Sequence, residues 1–239
     1  ELSQESHSFL AVYFSPFQGE SDCFYVLQQQ ATMEDLPEQA ITRHDFKTRV
    51  QTHSIRIKGL QNIAITPNGS RLLVVCTRQM LRLDARDLSE IERIELPEPR
   101  EHHSYTIPQA QFSPCGRFLA LCYGIRGAVE VRDAKTLSIR AEMSTHGLPA
   151  GPIKWNSDGT LLAGGVIRRS DGQSQLLVWS IAEFETVATI DDVLLYPMQP
   201  HSAHPGTYYW HPSKAEIVLL LATGTIQRLT YSMSDQGRD

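Results

Sequence analysis

The chain has 239 residues, 41% hydrophobic and 21% charged, with a formal net charge of −5, the balance of an ordinary globular protein. That charge neither points to nucleic acid nor excludes it. The longest apolar run, 217–222, is far short of the roughly 20 residues that cross a bilayer, and four cysteines are too few for a disulfide scaffold. The length admits one large all-β domain or two small ones. Glu1 in first position implies either a removed leader or a segment of a longer protein.

In chain order, five stretches share an opening, in which an apolar strand closed by an aromatic or Ile meets a polar turn. They are Tyr13-Phe14-Ser15-Pro16, Ala64-Ile65-Thr66-Pro67, Gln111-Phe112-Ser113-Pro114, Lys154-Trp155-Asn156-Ser157-Asp158 and Tyr209-Trp210-His211-Pro212. The anchors recur every 43 to 55 residues, bracketing the roughly 40 to 50 residues of a four-stranded repeat unit. Each opening leads to a second apolar run: 23–27, 72–76, 118–122, 161–166 and 217–222. These runs are almost continuously apolar, which predicts strands covered on both faces. Cys76 and Cys122 close two of them as small buried side chains. Free thiols without CxxC spacing favour a reducing compartment such as the cytoplasm over a metal or redox pair.

Third strands are predicted to finish at Leu83-Asp84, Arg132-Asp133, Trp179-Ser180 and Leu229-Thr230, with an insertion at 167–173 lengthening one hairpin. Fourth strands are predicted at 91–96, 139–143 and 186–190. In the first repeat the last two strands fall near 40–46 and 49–58. The repeats thus run approximately over 8–58, 59–97, 107–143, 151–191 and 206–232, within a single domain covering 1–239.

SPCGRFLALC followed by VEVRDAKTL, and NSDGTLLAGG followed by LLVWSIAEF, resemble blades of WD40-type or the related bacterial YVTN-type β-propellers. ITPNGSRLLVVC with LRLDARDL leans toward the second. The resemblance implies an all-β propeller of four-stranded antiparallel blades, about five of them recognisable. The Trp-Asp pair survives only in part, as Arg132-Asp133 and Trp179-Ser180, and no Gly-His pair precedes the fourth strands. Residues 232–239 are too polar and brief for a last strand, so three closures stay open. The segment 2–8 supplies a strand, a five-bladed ring keeps a ragged seam, or the chain is an incomplete part of a larger, seven-bladed ring. In the third case further blades come from a longer chain or another subunit.

In such a propeller the loop between strands two and three shares a face with the loop joining consecutive blades. The resemblance therefore gathers Arg78, Arg126, Arg168 and Arg169 with Arg100, His102, His103, Tyr105, Tyr196, His201 and His204 into a basic and aromatic rim. Arginine matches carboxylate and phosphate with paired donors, so the rim is expected to bind a protein or peptide partner, acidic or phosphorylated. His201-x-x-His204 lies in a Pro-rich loop rather than on a helix, and His211 falls in a first-to-second strand turn on the opposite face, so no metal is expected. No G-x-S-x-G elbow, GxGxxG or Walker loop occurs, and no cofactor is expected. Asp191 and Asp192 point to opposite faces of an extended segment, against shared acid-base work. Trp155, Trp179 and Trp210 sit at repeat anchors, as packing residues. The expectation is a non-enzymatic interaction scaffold. The alternative is a bacterial propeller-type enzyme, or a ligand or metal sensor, with its site at the central channel.

Overall fold

The computed structural model describes residues 7–14, 23–30, 38–96, 109–123, 127–193, 208–221 and 223–231, and these are all-β, with no helix. No helix among them is long and apolar enough to cross a membrane. The strands form five meandering sheets. The first contains β1 (His7–Phe14), β2 (Cys23–Gln30), β3 (Glu38–Asp45) and β4 (Gln51–Lys58), paired in that order. The second contains β5 (Leu60–Ile65), β6 (Arg71–Cys76), β7 (Gln79–Asp84) and β8 (Glu90–Glu95). β9 (Gln109–Phe112), β10 (Phe118–Tyr123), β11 (Ala128–Asp133) and β12 (Ile139–Ser144) make the third, and β13 (Gly147–Trp155), β14 (Leu161–Arg168), β15 (Ser174–Ser180) and β16 (Thr186–Asp191) the fourth. In the fifth, the described strands are β17 (Tyr208–Trp210), β18 (Glu216–Leu220) and β19 (Ile226–Thr230). The chain divides into two compact units, 1–112 with 199–203, and 113–198 with 204–239.

The apolar second runs of the sequence are the second strands, and their two faces serve two cores. On β14, Leu162 and Val166 pack with Val129, Val131, Trp155 and Trp179. Leu161 and Ala163, pointing the other way, pack with Tyr208, Ile217 and Leu219. Alternation along a strand sends neighbours to opposite faces, so a strand sandwiched between sheets must be apolar throughout. Each fully buried leucine contributes about 1.5–3 kcal/mol. In the first unit, Tyr25, Leu27 and Ile41 share a core with Leu72, Val74 and Leu83, and the Tyr25 hydroxyl donates to the Ala85 carbonyl at 2.8 Å. Cys76 and Cys122 are buried and free.

Turn chemistry follows the repeat. Gly69, Gly116 and Gly159, between first and second strands, have φ of 64°, 70° and 75°, the left-handed region in which a Cβ is penalised. The turns between third and fourth strands carry a signature that hydrophobic periodicity does not reveal. Arg49, Leu88, Leu137 and Phe184 all sit there with φ of 56–61°. Three of them close the turn by donating to the carbonyl of the Asp four residues earlier: Arg49 to Asp45, Leu88 to Asp84 and Leu137 to Asp133, at 2.8–2.9 Å. Each of the four third-to-fourth pairings slips by one residue near the turn: at Arg43/His44, Arg82/Leu83, Val131/Arg132 and Val178/Trp179.

One boundary differs from expectation. β13 begins at Gly147 rather than near 151, because Pro149 and Pro152 read as breakers in sequence. β13 is the edge strand of its sheet, where missing N–H donors are tolerated, and its pairing is interrupted between Pro149 and Ile153.

Candidate functional site

Three turns of the second unit enclose an open groove of about 530 Å³ lined by Gly116, Arg117, Phe118, Asp133, Lys135, Arg140 and Phe184. The turn after β9 brings Gly116 and Arg117, the turn after β11 brings Lys135, and the turn after β15 brings Phe184. The first two of these turns are joined. Gly116 N–H donates to Ser113 O at 2.8 Å, closing the first, and Ala134 N–H donates to Arg117 O at 2.9 Å, binding the second to it. The same second bond recurs elsewhere in the chain as Ala85 to Ser70, Ile181 to Thr160 and Tyr231 to Ala215, so the groove is built on a structural repeat.

Its floor is aromatic. The Phe118 ring stacks on Trp155, centroids 6.4 Å apart and planes 15° apart, and Trp155 is buried. Arg117 lies over that ring, 5.3 Å from its centroid, a cation–π arrangement worth about 0.5–1 kcal/mol at an exposed site. Among the described residues its guanidinium has no hydrogen-bond or ion-pair partner, and a stacked guanidinium can still present its edge N–H groups to an anion. Arg140 pairs with Asp133 at 3.0 Å. The Asp133 carboxylate also accepts the Thr136 and Lys135 N–H groups, at 2.9 and 3.0 Å. The Thr136 N–H and then Arg140 hold that carboxyl well below the usual range. The Lys135 ammonium has no ion-pair partner among the described residues. With Asp133 balanced by Arg140, the groove retains the positive charge of Arg117 and Lys135.

Beside it, Cys115 is exposed, its sulfur 3.4 Å from the Ser113 hydroxyl. Partial burial would raise the thiol pKa. The Ser113 hydroxyl, the Arg117 N–H and the Arg117 charge outweigh it, and the net shift is downward.

The residues singled out by sequence are distributed differently. Arg126, His102, His103, Tyr196, His201 and His204, with Arg100 and Tyr105, lie outside the described residues. Arg78 lies in the β6–β7 turn of the first unit, where its carbonyl accepts the Leu96 N–H at 2.8 Å. Arg168 and Arg169 lie at the β14–β15 turn of the second unit. The Arg168 fork is engaged inside its own hairpin. It meets Asp171 through Nε at 2.9 Å and Nη2 at 2.6 Å, and Gln173 Oε1 at 2.7 Å. That pairing draws the Asp171 carboxyl pKa down. The β14–β15 turn and the β15–β16 turn that bears Phe184 are at opposite ends of β15. The groove is therefore a different site, one that attention to strand-two loops passes over. Its signal was present in sequence as the near-identical turns Asp84-Ala85-Arg86-Asp87-Leu88-Ser89 and Asp133-Ala134-Lys135-Thr136-Leu137-Ser138.

A second cluster joins β13 to β17. Lys154 Nζ donates to Tyr208 O at 3.0 Å and lies 4.2 Å from the Tyr209 ring centroid and 5.2 Å from that of Tyr208. Burial pushes its ammonium pKa down. Beneath it, the single hydroxyl hydrogen of the fully buried Tyr208 is shared between two acceptors, Ala163 O at 2.9 Å and Pro152 O. Among the described residues no group of three or more His, Cys, Asp or Glu is placed to share a metal ion.

No family model matches the chain, and no curated protein matches it in sequence. Its fold resembles 927 solved chains. Among them is Kuenenia stuttgartiensis hydrazine synthase, with a TM-score of 0.62 and 17% identity, over 93% of this chain and 66% of that one. The chain therefore spans less than two thirds of that structure, and a likeness at such identity concerns the fold alone.

Proposed function

We propose that the sheets are blades of a β-propeller and that the chain is a non-enzymatic interaction platform docking a protein or peptide partner. The observation that supports the docking role is the groove, in which two cations of the second unit, Arg117 and Lys135, border an aromatic floor made rigid by Trp155. Loops held on a stiff β core commonly carry recognition. Support for a blade arrangement is the recurrence of one strand order, one turn chemistry and one cross-turn hydrogen bond in successive sheets. The test is affinity capture from extracts of the source organism with wild type and with Arg117→Glu/Lys135→Glu. Proteins retained by the first and lost by the second support the platform, and an identical retained set counts against it.

The fifth sheet supports a further element of the reading, that additional strands complete the assembly. Ile226 on β19 is 73% exposed, whereas the residues at its place on the other third strands, Met80, Val129 and Leu176, are 0%, 1% and 0% exposed. The third strand of each of the other sheets is flanked by a fourth, and among the described residues β19 is not. A second reading, a small anionic ligand bound along the first strands, is favoured by Lys154 between the Tyr208 and Tyr209 rings. Loss of thermal stabilisation by succinate in Lys154→Met would support it, and a response equal to wild type would remove it.

A further inference from the structure

We infer that the groove between the turns after β9, β11 and β15 binds a short acidic segment of a partner protein, seating an apolar side chain on Phe118 and Phe184 between anionic groups held by Arg117 and Lys135. The inference rests on the platform reading above and names the chemistry of its partner.

The charge pattern selects the occupant. Across the whole chain the charge is −5, yet in this groove Arg140 neutralises Asp133 and two cations remain. Both stand on short turns fixed by a main-chain hydrogen bond between them, so the spacing of their backbone positions is set before any ligand arrives, which lowers the ordering cost of binding. Arg117 is further pinned by the ring beneath it. The groove volume, about 530 Å³, suits a few side chains rather than a long polymer, within the range of roughly 300–1,000 Å³ usual for bound small groups. An extended polyanion such as single-stranded nucleic acid would lie partly over the acidic remainder of the surface, where repulsion opposes it. A short peptide places its charges only where the cations are. Carboxylates and phosphates share this chemistry, since guanidinium and ammonium groups bind both.

The experiment uses the full chain and fluorescence anisotropy with labelled, end-blocked peptides. The first probe is Glu-Asp-Phe-Asp-Glu. The second replaces its phenylalanine by phosphotyrosine, and the third is the uncharged Gln-Asn-Phe-Asn-Gln. The first two are expected to bind with an affinity that falls as salt rises, because the contacting charges are exposed, and the third to bind at least roughly tenfold more weakly. Tighter binding of the second assigns the site to phosphate, and tighter binding of the first assigns it to carboxylate. Arg117→Glu/Lys135→Glu should lose about tenfold or more for the acidic probes and acquire binding of Lys-Arg-Phe-Arg-Lys, a gain that misfolding would not produce. Arg117→Gln/Lys135→Gln provides a milder variant should the reversed one unfold, with the same direction of loss.

Acidic-peptide binding that is absent, or equal in wild type and both variants, overturns the inference. So does an oligothymidylate that displaces the peptide and binds more tightly. If the acidic probes fail while the charge-reversed variant still loses a captured partner, only the acidic specificity falls. If the variant also retains every captured partner, the platform reading falls with it.

Discussion

One backbone conformation occurs with two kinds of side chain, and this makes glycine substitution a sharp test of the energetics. Arg49 and Leu137 have φ of 58° and 56° in turns of the same construction. Each donates to the carbonyl of an Asp four residues earlier, at 2.8 Å, and in each turn the Asp carboxylate accepts a Thr N–H, at 2.7 and 2.9 Å. Holding a Cβ in that region costs roughly 1–2 kcal/mol. Glycine removes the cost but surrenders about 0.5–1 kcal/mol of backbone entropy, leaving a net gain of about 0.5–1 kcal/mol. Arg49 is exposed, so Arg49→Gly should stabilise the protein by that amount. Leu137 is 2% exposed, and deleting a buried leucine down to the backbone costs about 2–5 kcal/mol. Leu137→Gly should therefore destabilise by about 2–4 kcal/mol despite the same relief of strain. Urea unfolding followed by circular dichroism, with amide exchange of the β3–β4 and β11–β12 hairpins assigning the change to its unit, measures both. Shifts of the same sign would refute the argument, because turn strain and side-chain burial would then not be separable terms.

Glu130 and Arg132 form a buried pair on one face of β11, 2.8 Å through Nε and 2.6 Å through Nη2, with exposures of 1% and 8%. Glu130→Ala should cost roughly 3–5 kcal/mol in urea unfolding by stranding the guanidinium, whereas Glu130→Leu/Arg132→Met should recover most of the loss. Gly147→Ala would drive its Cβ into the main-chain oxygen of Ile167, so its thermal midpoint should drop more than that of any exposed alanine substitution. Asp133, whose carboxyl pKa is depressed in the folded protein by the Thr136 N–H and Arg140, stabilises the fold above its unfolded value near 3.9 and ceases to do so as pH falls through the depressed value. Acid titration of Asp133→Asn should be flatter than wild type in that window, and an unchanged titration would show that the carboxylate is not coupled to folding. Tyr208 has the opposite sign. Burial raises its pKa, so the stability given by the neutral phenol holds below about pH 10 and is lost as pH climbs toward the raised value. Tyr208→Phe should remove that alkaline dependence while taking the hydroxyl donor away from the buried Ala163 and Pro152 carbonyls, at a cost of about 1–3 kcal/mol.

Strand placement was legible because burial on both faces writes itself as a continuous apolar run, and Leu72–Cys76, Phe118–Cys122 and Leu161–Val166 fall inside β6, β10 and β14. Fourth strands were legible by spacing more than by pattern. In β8, Ile91 is 45% exposed while Glu92 is half-buried against Arg82 at 2.8 Å. Burial still alternates along β8, but its half-buried places hold both Glu92 and Ile94 while Ile91 faces out, so residue polarity does not follow it. The groove was harder to read for a related reason. Sequence distinguishes arginines by the loop they stand in, whereas their availability depends on what lies within about 4 Å, and Arg168 is spent on Asp171 and Gln173 three and five residues away. Arg117 carries no mark of that sort. Its role depends on the Phe118 ring being held against Trp155, 37 positions along the chain, and on Phe184 arriving from a third turn. A groove of this kind is a property of turns brought side by side by strand pairing within one sheet and by packing against the next, so the sequence signal to follow is the repeated turn itself. Asp-Ala-Arg and Asp-Ala-Lys set a backbone carbonyl, a carboxylate and a cation at one end of successive sheets. Which copy of that turn becomes a site is decided by the aromatic neighbours it meets.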